Sequence, residues 1–159
     1  MTAIVCVSQN WSIGRDGALL FRISADLKRF KALTVGKTVI LGRKTLDTFP
    51  GGKPLKDRRN IVLSRRELDI PGAEIAHSFE EAAALGGDDA IVIGGASVYM
   101  ALLSRCDRVY VTKVDAAPDA DSFFPDLDDN PDWRVASESE VFEENGLKFR
   151  FVDYIRNCN

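Results

Sequence analysis

Two basic segments of the sequence contain the residue types that bind phosphate groups. Residues 42–45 (GRKT) follow an apolar run and open a predicted helix, whose free N–H groups and positive dipole end favour an anion. Residues 64–66 (SRR) follow the next apolar run, and their arginines can grip a phosphate through forked, charge-assisted hydrogen bonds. Taken alone, residues 42–45 fit a glycine turn with solvated side chains equally well, and residues 64–66 fit a solvated turn better than a phosphate site. Beside Arg43, residues 64–66 become a candidate clamp for the ribose 2′-phosphate that distinguishes NADPH from NADH.

A third segment, residues 93–99 (IGGASVY), has two glycines between a predicted strand and a predicted helix. Glycines at such a junction let the backbone approach a pyrophosphate closely. The spacing is not G-x-G-x-x-G, so it gives little support to an ordinary Rossmann site. A purely structural glycine turn is the alternative explanation.

Asp26 is the carboxylate whose surroundings are most suggestive of chemistry. It lies in the first turn of a predicted helix, where the helix dipole stabilises a negative charge, and that is a sufficient structural reason for it. Asp26 and Phe30 are four residues apart, so they share one helix face. A carboxylate next to an aromatic ring on an otherwise apolar face is typical of a ligand wall, where it would pair with a cationic or amidine-like group.

Other kinds of catalytic or metal site fit the sequence poorly. The one histidine, His77, directly precedes a predicted capping serine, and neither G-x-S-x-G nor G-x-x-x-x-G-K-[ST] occurs. The three cysteines are odd in number and form no C-x-x-C pair. This pattern predicts reduced thiols and no metal site.

Length and charge indicate a small globular protein. The 159 residues fit one domain, 1–159, and the net charge of −3 gives no electrostatic footprint for nucleic acid or an anionic membrane. The first apolar run, residues 4–7, is too short for a signal peptide or a membrane span. We therefore expect a cytoplasmic protein without a nucleic-acid or membrane partner.

The elements that must position these residues alternate between short strands and helices. Strands are predicted at 4–7, 38–41, 60–64, 90–93 and 108–114, and helices at 25–33 (capped by Ser24), 43–49, 79–86 (opened by a Ser78–Glu81 capping box) and 96–103.

Two further segments complete the predicted architecture. Residues 11–20 are expected to form a loop, and the Asn-Gly pair at 145–146 predicts a hairpin joining strand-like runs at 133–137 and 149–155. The fold class is therefore α/β: a mostly parallel central sheet of about eight strands, with helices on both faces and a C-terminal antiparallel hairpin. Ligands bind such sheets beyond the carboxyl ends of the strands.

Taken in order, these segments resemble the dihydrofolate reductase family. No single motif is decisive, but the ordered set spans nearly the whole chain and is highly specific. The matching residues are 13–14 (IG), 25–31 (ADLKRFK), 42–45 (GRKT), 54–55 (PL), 58–64 (RRNIVLS), 93–95 (IGG) with Tyr99, and Thr112 with 121–126 (DSFFPD).

The resemblance implies a substrate pocket around Asp26, whose carboxylate would bond the amino group and ring N–H of a pterin and promote protonation at N5. Thr112 would support that carboxylate, and Arg58 would hold the α-carboxylate of the glutamate tail, for which a guanidinium is suited. The other residues implied on the substrate side are Ile4 and Ile93 (through their carbonyls), Val5, Tyr99, and the apolar Leu27, Phe30, Phe49 and Leu55.

The resemblance also implies NADPH as cofactor, with its hydride passing to C6 of dihydrofolate. Gly94 and Gly95, joined in this family by a cis peptide, would let the nicotinamide and pyrophosphate approach, and residues 10–20 would form a mobile loop that closes over the site. The residues implied on the cofactor side are Cys6, Ile13, Gly14, Leu19, Gly42, Arg43, Lys44, Thr45, Leu63, Ser64, Arg65, Ile93, Gly94, Gly95, Ala96, Ser97, Val98 and Tyr99.

One departure from the family concerns residues 20–21, which are Leu-Phe where family members usually carry Pro-Trp. Leu19 and Phe21 are implied beside the reacting groups. Phe21 has no N–H donor, so a water normally anchored there must be held otherwise or lost. We expect altered proton delivery or altered affinity for diaminopyrimidine inhibitors.

The resemblance further implies a monomer with a role in one-carbon metabolism, inhibited by diaminopyrimidine or pteridine antifolates. Two alternatives stay open: a same-fold pyrimidine reductase of riboflavin synthesis, and a non-catalytic protein that binds NADPH or folate. Asp26 with Phe30, followed by Arg58, favours folate over a pyrimidine. Retention of Asp26, Thr112 and the phosphate clamp favours an enzyme.

Overall fold

Buried side chains on both faces of the first strand show why it lies inside a sheet. In β1 (Thr2–Val7), the side chains of Ala3, Val5 and Val7 belong to one buried cluster and that of Ile4 to another. Because successive side chains of a strand point to opposite faces, both faces of β1 must be covered. Continuous apolar runs therefore become the central strands.

A computed structural model describes residues 1–158, whose main sheet contains nine strands. These are β1, β4 (Thr38–Gly42), β5 (Arg59–Leu63), β6 (Ala73–Ala76), β7 (Ile91–Gly94), β8 (Arg108–Val114), β10 (Trp133–Glu138), β11 (Phe142–Glu144) and β12 (Leu147–Arg156). Their order is β10-β12-β8-β1-β7-β4-β5-β6, with β11 beside β12. Three further strands, β2 (Ser12–Arg15), β3 (Ala18–Leu19) and β9 (Ser122–Phe123), form a smaller sheet.

The sheet combines a parallel part with an antiparallel edge. The pairs β1–β7, β1–β8, β4–β5, β4–β7 and β5–β6 are parallel, whereas β12 runs antiparallel to β8, β10 and β11. The turn at 145–146 joins β11 to β12, and β10 pairs with the far half of β12. The predicted terminal hairpin is confirmed, with β11 added next to its turn.

Helices cover both faces of the sheet. Phe30 and Leu46 pack into the cluster on one face, and Ala82 and Val98 belong to the cluster on the other. No helix within residues 1–158 is long and apolar enough to cross a membrane. The predicted fold class is thus confirmed; the helices are α1 (Ser24–Thr34) and α2 (Arg43–Asp47) on the first face, and α3 (Phe79–Gly86) and α4 (Ala96–Leu102) on the second.

Residues 11–20 do not form the loop that we expected. They contain the strands β2 (Ser12–Arg15) and β3 (Ala18–Leu19), and β9 (Ser122–Phe123) pairs with β2 to make a separate three-stranded sheet. Between β2 and β3, Asp16 and Gly17 have φ values of 52° and 79°. An Asp-Gly pair with both residues at positive φ is a hairpin turn, so the sequence carried a signal for this element.

The cap of α1 also differs from the prediction. Ser24 is the first helical residue, and Ile23, which precedes the helix, offers no side-chain cap. The Glu144 carboxylate instead accepts hydrogen bonds from the N–H groups of Ser24 and Ala25, at 2.6 and 3.2 Å. An apolar N-cap residue has no acceptor, so a distant residue supplies it.

The cap of α3 is confirmed in part, and one strand was missed. The Ser78 hydroxyl accepts from the Glu81 N–H at 3.0 Å, but the Glu81 carboxylate reaches the N–H of His77 rather than that of Ser78.

The strand at 73–76, at the sheet edge, was not predicted. Its four residues are too short a run to show a clear period.

Candidate active site

The carboxyl ends of three parallel strands, β4, β5 and β7, meet at one edge of the sheet. Gly42, at the end of β4, pairs with Leu63 of β5 in the register of the two strands, and Leu41 pairs with Gly94 of β7. Parallel pairing brings the segments that follow these strands to the same side. The three phosphate-binding segments predicted from the sequence therefore emerge together, at the edge where open α/β sheets bind ligands.

Asp26 meets Thr112 at this edge, although 86 residues separate them. The Thr112 hydroxyl on β8 donates a hydrogen bond of 2.6 Å to one carboxyl oxygen of Asp26 on α1. Thr112 is itself buried and pairs with Cys6 of β1. The second carboxyl oxygen of Asp26 has no hydrogen bond from the residues that the structure describes.

Burial raises the pKa of the Asp26 carboxyl above its ordinary value, and this outweighs two opposing interactions. The hydrogen bond from Thr112 and the positive charge of Arg29 both favour the ionised form and lower that pKa. The Arg29 guanidinium is itself bound by Asp153 at 2.8 Å and lies 4.5 Å from the centre of the Phe151 ring. Asp26 can therefore take up a proton more readily than an aspartate in water.

Two other titratable groups face Asp26, and both stay neutral. Burial, with the nearby Asp26 charge as a smaller cause, raises the pKa of the Cys6 thiol and of the Tyr99 phenol. The Tyr99 hydroxyl donates to the Ile4 carbonyl at 2.6 Å. One lone pair of the carbonyl that was expected to face a pterin is therefore bonded to Tyr99.

An apolar wall continues from Asp26 along α1. Phe30, Phe49 and Leu55 pack with Leu33 against the buried cluster on this face, whereas Leu27 is 46% exposed. At the far end, Arg58 donates to the Thr34 hydroxyl at 3.1 Å and to the Lys56 carbonyl at 2.8 Å. The arrangement provides a carboxyl at one end, apolar rings in the middle and a guanidinium at the other end.

Asn60 is a contributor to this site that the sequence interpretation overlooked. It is buried, its amide oxygen accepts from the Leu55 N–H at 3.0 Å, and its amide nitrogen donates to the carbonyls of Leu55 and Arg58 at 2.9 and 3.0 Å. One side chain thus ties down the loop that carries two predicted substrate residues. The sequence feature that could have indicated this role is an asparagine near the start of an otherwise apolar strand.

Close backbone packing explains the glycines of the predicted cofactor side. The Gly94–Gly95 peptide is cis. A Cβ atom on Gly95 would lie 3.2 Å from the Thr45 hydroxyl oxygen, and one on Gly42 would lie 3.3 Å from a Val98 methyl. The beginnings of α2 and α4 approach each other so closely that side chains at these glycines would crowd their neighbours. Neither helix has an acidic first turn or a side-chain cap, which suits an anionic ligand.

The two arginines of the predicted phosphate clamp, Arg43 and Arg65, differ in their contacts. Arg43 forms an ion pair with Asp47, one turn along α2. Arg65 is exposed and makes no ion pair within residues 1–158. The Ser64 hydroxyl accepts from the Arg66 N–H at 3.2 Å. Arg65 is therefore the freer of the two arginines to bind a phosphate.

The β2–β3 hairpin is held at one side of the site. The Asp121 carboxylate accepts from the Asp16 N–H at 2.9 Å, and the Asp121 N–H donates to the Gly14 carbonyl at 3.0 Å. Leu19, at the end of β3, is 70% exposed. Phe21 is partly buried and packs against the cluster of Ile23, Val114 and Phe149.

Comparisons with known proteins agree with this geometry. A family model described as dihydrofolate reductase matches residues 1–156. A dihydrofolate reductase of Neisseria meningitidis serogroup B is 39% identical over 160 residues, 98% of each chain, and dihydrofolate reductase type 3 of Salmonella typhimurium is 40% identical over 129 residues, 79% of this chain and 78% of the other. A solved dihydrofolate reductase from Enterococcus faecalis, complexed with NADP(H) and RAB-propyl, has a TM-score of 0.87 at 30% identity, covering 99% of this chain and 96% of that one.

Replacing Asp26 by asparagine is expected to stabilise the protein at neutral pH, because an amide avoids the cost of burying a charge while its oxygen still accepts from Thr112. Since the pKa of Asp26 is raised on folding, that cost is full above the folded pKa and vanishes below the unfolded value of about 3.9.

The measurement is the urea midpoint of Asp26→Asn against the unaltered protein across this pH range. The increase in the urea midpoint should be largest at neutral pH and should shrink to nothing as the solution becomes acidic. Asp69→Asn, at an exposed aspartate, is the control and should show no such trend. A loss of stability in Asp26→Asn at every pH would contradict the role of burial.

Proposed function

This chain belongs to the dihydrofolate reductase family, and on that premise we propose that Asp26 is the group that binds and polarises the pterin while the enzyme reduces 7,8-dihydrofolate to tetrahydrofolate with NADPH. The observation that carries the proposal is the carboxyl of Asp26, partly buried and bonded to Thr112 at 2.6 Å. Its free oxygen suits the amino group and ring N–H of a pterin. Its raised pKa supports protonation of N5 near neutral pH.

The remaining substrate residues act by orientation and exclusion of water. Phe30, Phe49 and Leu55 hold flat rings by apolar contact, and Arg58 binds the carboxylate of the glutamate tail with the donors that Thr34 and Lys56 leave free. Holding both ends of the substrate aligns its C6 with the cofactor, and such alignment lowers the barrier by removing freedom of motion before the reaction.

NADPH supplies the hydride when it is bound, and the residues at the ends of β4, β5 and β7 fit such a dinucleotide. Gly95 and Gly42 leave little room for side chains of their own, which suits close backbone approach to a pyrophosphate. Lys44, Thr45, Ser64 and Arg65 would bind the phosphates, Arg65 foremost, since Arg43 is engaged by Asp47. The hairpin at 12–19 would close over the nicotinamide.

The whole chain, 1–159, acts as one domain in this proposal, with Asn159 outside the described residues. It works as a monomer in the cytoplasm, in one-carbon metabolism. Diaminopyrimidine and pteridine antifolates would compete for the Asp26 carboxyl, because their amidine-like edge presents paired N–H donors.

Asp26→Asn is the first test of the function. Turnover of dihydrofolate, followed by the absorbance of NADPH, should fall about a hundredfold or more near neutral pH, the usual scale for loss of an acid–base group. Binding of NADPH should be unchanged, and Asp69→Asn should keep full activity. If the unaltered chain binds NADPH but does not turn over dihydrofolate, the function is refuted.

Arg65→Ala tests the cofactor clamp. The KM for NADPH should rise about tenfold, as expected for loss of a hydrogen bond to a charged group, while the KM for NADH stays the same because NADH lacks the 2′-phosphate. Arg66→Ala, at the next exposed arginine, is the matched control and should have a smaller effect. Equal changes with the two cofactors would exclude a 2′-phosphate contact at Arg65.

Phe21→Trp tests the departure from the family pattern. An indole restores an N–H donor beside the site, so the pH profile of turnover or the inhibition constants of diaminopyrimidines should shift. Phe21→Leu, which changes the side chain without adding a donor, is the control for packing against the neighbouring cluster. If neither quantity moves in Phe21→Trp, position 21 has no part in proton delivery or inhibitor binding.

A further inference from the structure

The first turn of α1 takes its cap from the far end of the chain. The Glu144 carboxylate of β11 accepts from the N–H groups of Ser24 and Ala25, at 2.6 and 3.2 Å. These are among the N–H groups that a helix leaves without intrahelical partners. Asp26 is the next residue, so this cap holds the backbone directly before the carboxyl that Thr112 contacts.

The same hairpin holds α1 at a second point. Asp153 of β12 binds Arg29 at 2.8 Å, three residues beyond Asp26 along the helix. Phe151, also of β12, pairs with Thr112 of β8. The β11–β12 hairpin therefore pairs with Thr112 and binds α1 on both sides of Asp26. A shift of α1 against the hairpin would change the length of that bond.

The pKa values of Glu144 and Asp26 are shifted in opposite directions. The backbone hydrogen bonds from Ser24 and Ala25 lower the pKa of Glu144, whereas burial raises that of Asp26. The other charged, titratable or hydrogen-bonding side chains that act on Asp26 or Glu144 in the described residues are Ser24, Arg29 and Lys28 of α1, Cys6 of β1, Tyr99 of α4 and Thr112 of β8.

We propose that Glu144 is a positioning residue for the reaction: its carboxylate fixes the start of α1 so that Asp26 stays within hydrogen-bonding distance of Thr112. The inference rests on the proposed role of Asp26 in dihydrofolate reduction. Loss of the Glu144 carboxylate has two opposite effects on the pKa of Asp26. Removing a nearby negative charge lowers the pKa of Asp26, whereas weakening the Thr112 hydrogen bond raises it. The sign of the change therefore separates positioning from a simple field effect.

The test compares Glu144→Ala with Glu143→Ala, an exposed neighbour on β11 whose side chain has no hydrogen bond or ion pair in the described part of the chain. The pKa of Asp26 is read in the free protein from the 13C shift of its carboxyl carbon. Glu144→Ala should shift it upward and make amide hydrogen exchange at Ser24 and Ala25 at least about tenfold faster. Glu143→Ala should do neither, and Glu144→Gln, which keeps one acceptor oxygen, should be intermediate.

Turnover supplies a second readout. With NADPH and dihydrofolate at neutral pH, hydride transfer in Glu144→Ala should fall at least about threefold, because a displaced catalytic group slows the chemical step. The KM for NADPH should not change. A downward or absent shift of the Asp26 pKa overturns the proposal, as does a loss of rate that Glu143→Ala matches.

Ser24→Pro keeps the proposal testable if Glu144→Ala fails to fold. Proline suits the first helical position and removes one of the two N–H donors, so it should give a smaller upward shift of the Asp26 pKa. No shift would overturn the proposal. Absence of dihydrofolate turnover in the unaltered chain would instead refute the proposed function, since the carboxyl titration and amide exchange need neither substrate nor cofactor.

Discussion

A carboxylate that is partly buried needs hydrogen bonds or nearby positive charges to stabilise it, and those of Asp26 come from several elements of the fold. Burial raises the pKa of Asp26, while the Thr112 hydrogen bond and the Arg29 charge oppose that rise. Each of these groups comes from a different environment: Thr112 from the sheet, and Arg29 from the helix, where Asp153 holds it. The protonation of one side chain thus depends on how α1 is seated against β8 and β12.

The edge formed by the parallel strands imposes a second constraint. Because β4, β5 and β7 run in the same direction, the segments that follow them crowd into one region. Gly42 and Gly95 relieve this crowding, since a Cβ at either position would press on Val98 or Thr45. The same close packing that needs glycine leaves backbone near the ligand, which suits the phosphates of a dinucleotide. The close packing that the fold requires at these strand ends therefore also shapes the binding site.

The two hairpins that flank the site are anchored differently. The β2–β3 hairpin is tied to Asp121 through its backbone groups, and Leu19 of β3 is largely exposed. The β11–β12 hairpin is part of the main sheet and binds α1 through carboxylates at two points. An exposed, lightly anchored hairpin suits a part that closes over ligands. A hairpin built into the sheet suits a part that holds catalytic groups in place.

The order of motifs and the period of apolar residues were sufficient to predict the fold class, the helices and most central strands, because those features depend on local sequence. The phosphate segments and Asp26 were identifiable for the same reason: each is a short run next to a strand or a helix. Errors occurred where a distant residue decides the outcome. Glu144 rather than Ser24 caps α1, and Ser122 and Phe123 pair with the strand that forms within residues 11–20. Sequence by itself determined which residues could do the chemistry; only the tertiary structure decided which partners hold them, since such hydrogen bonds and ion pairs join residues far apart in the chain.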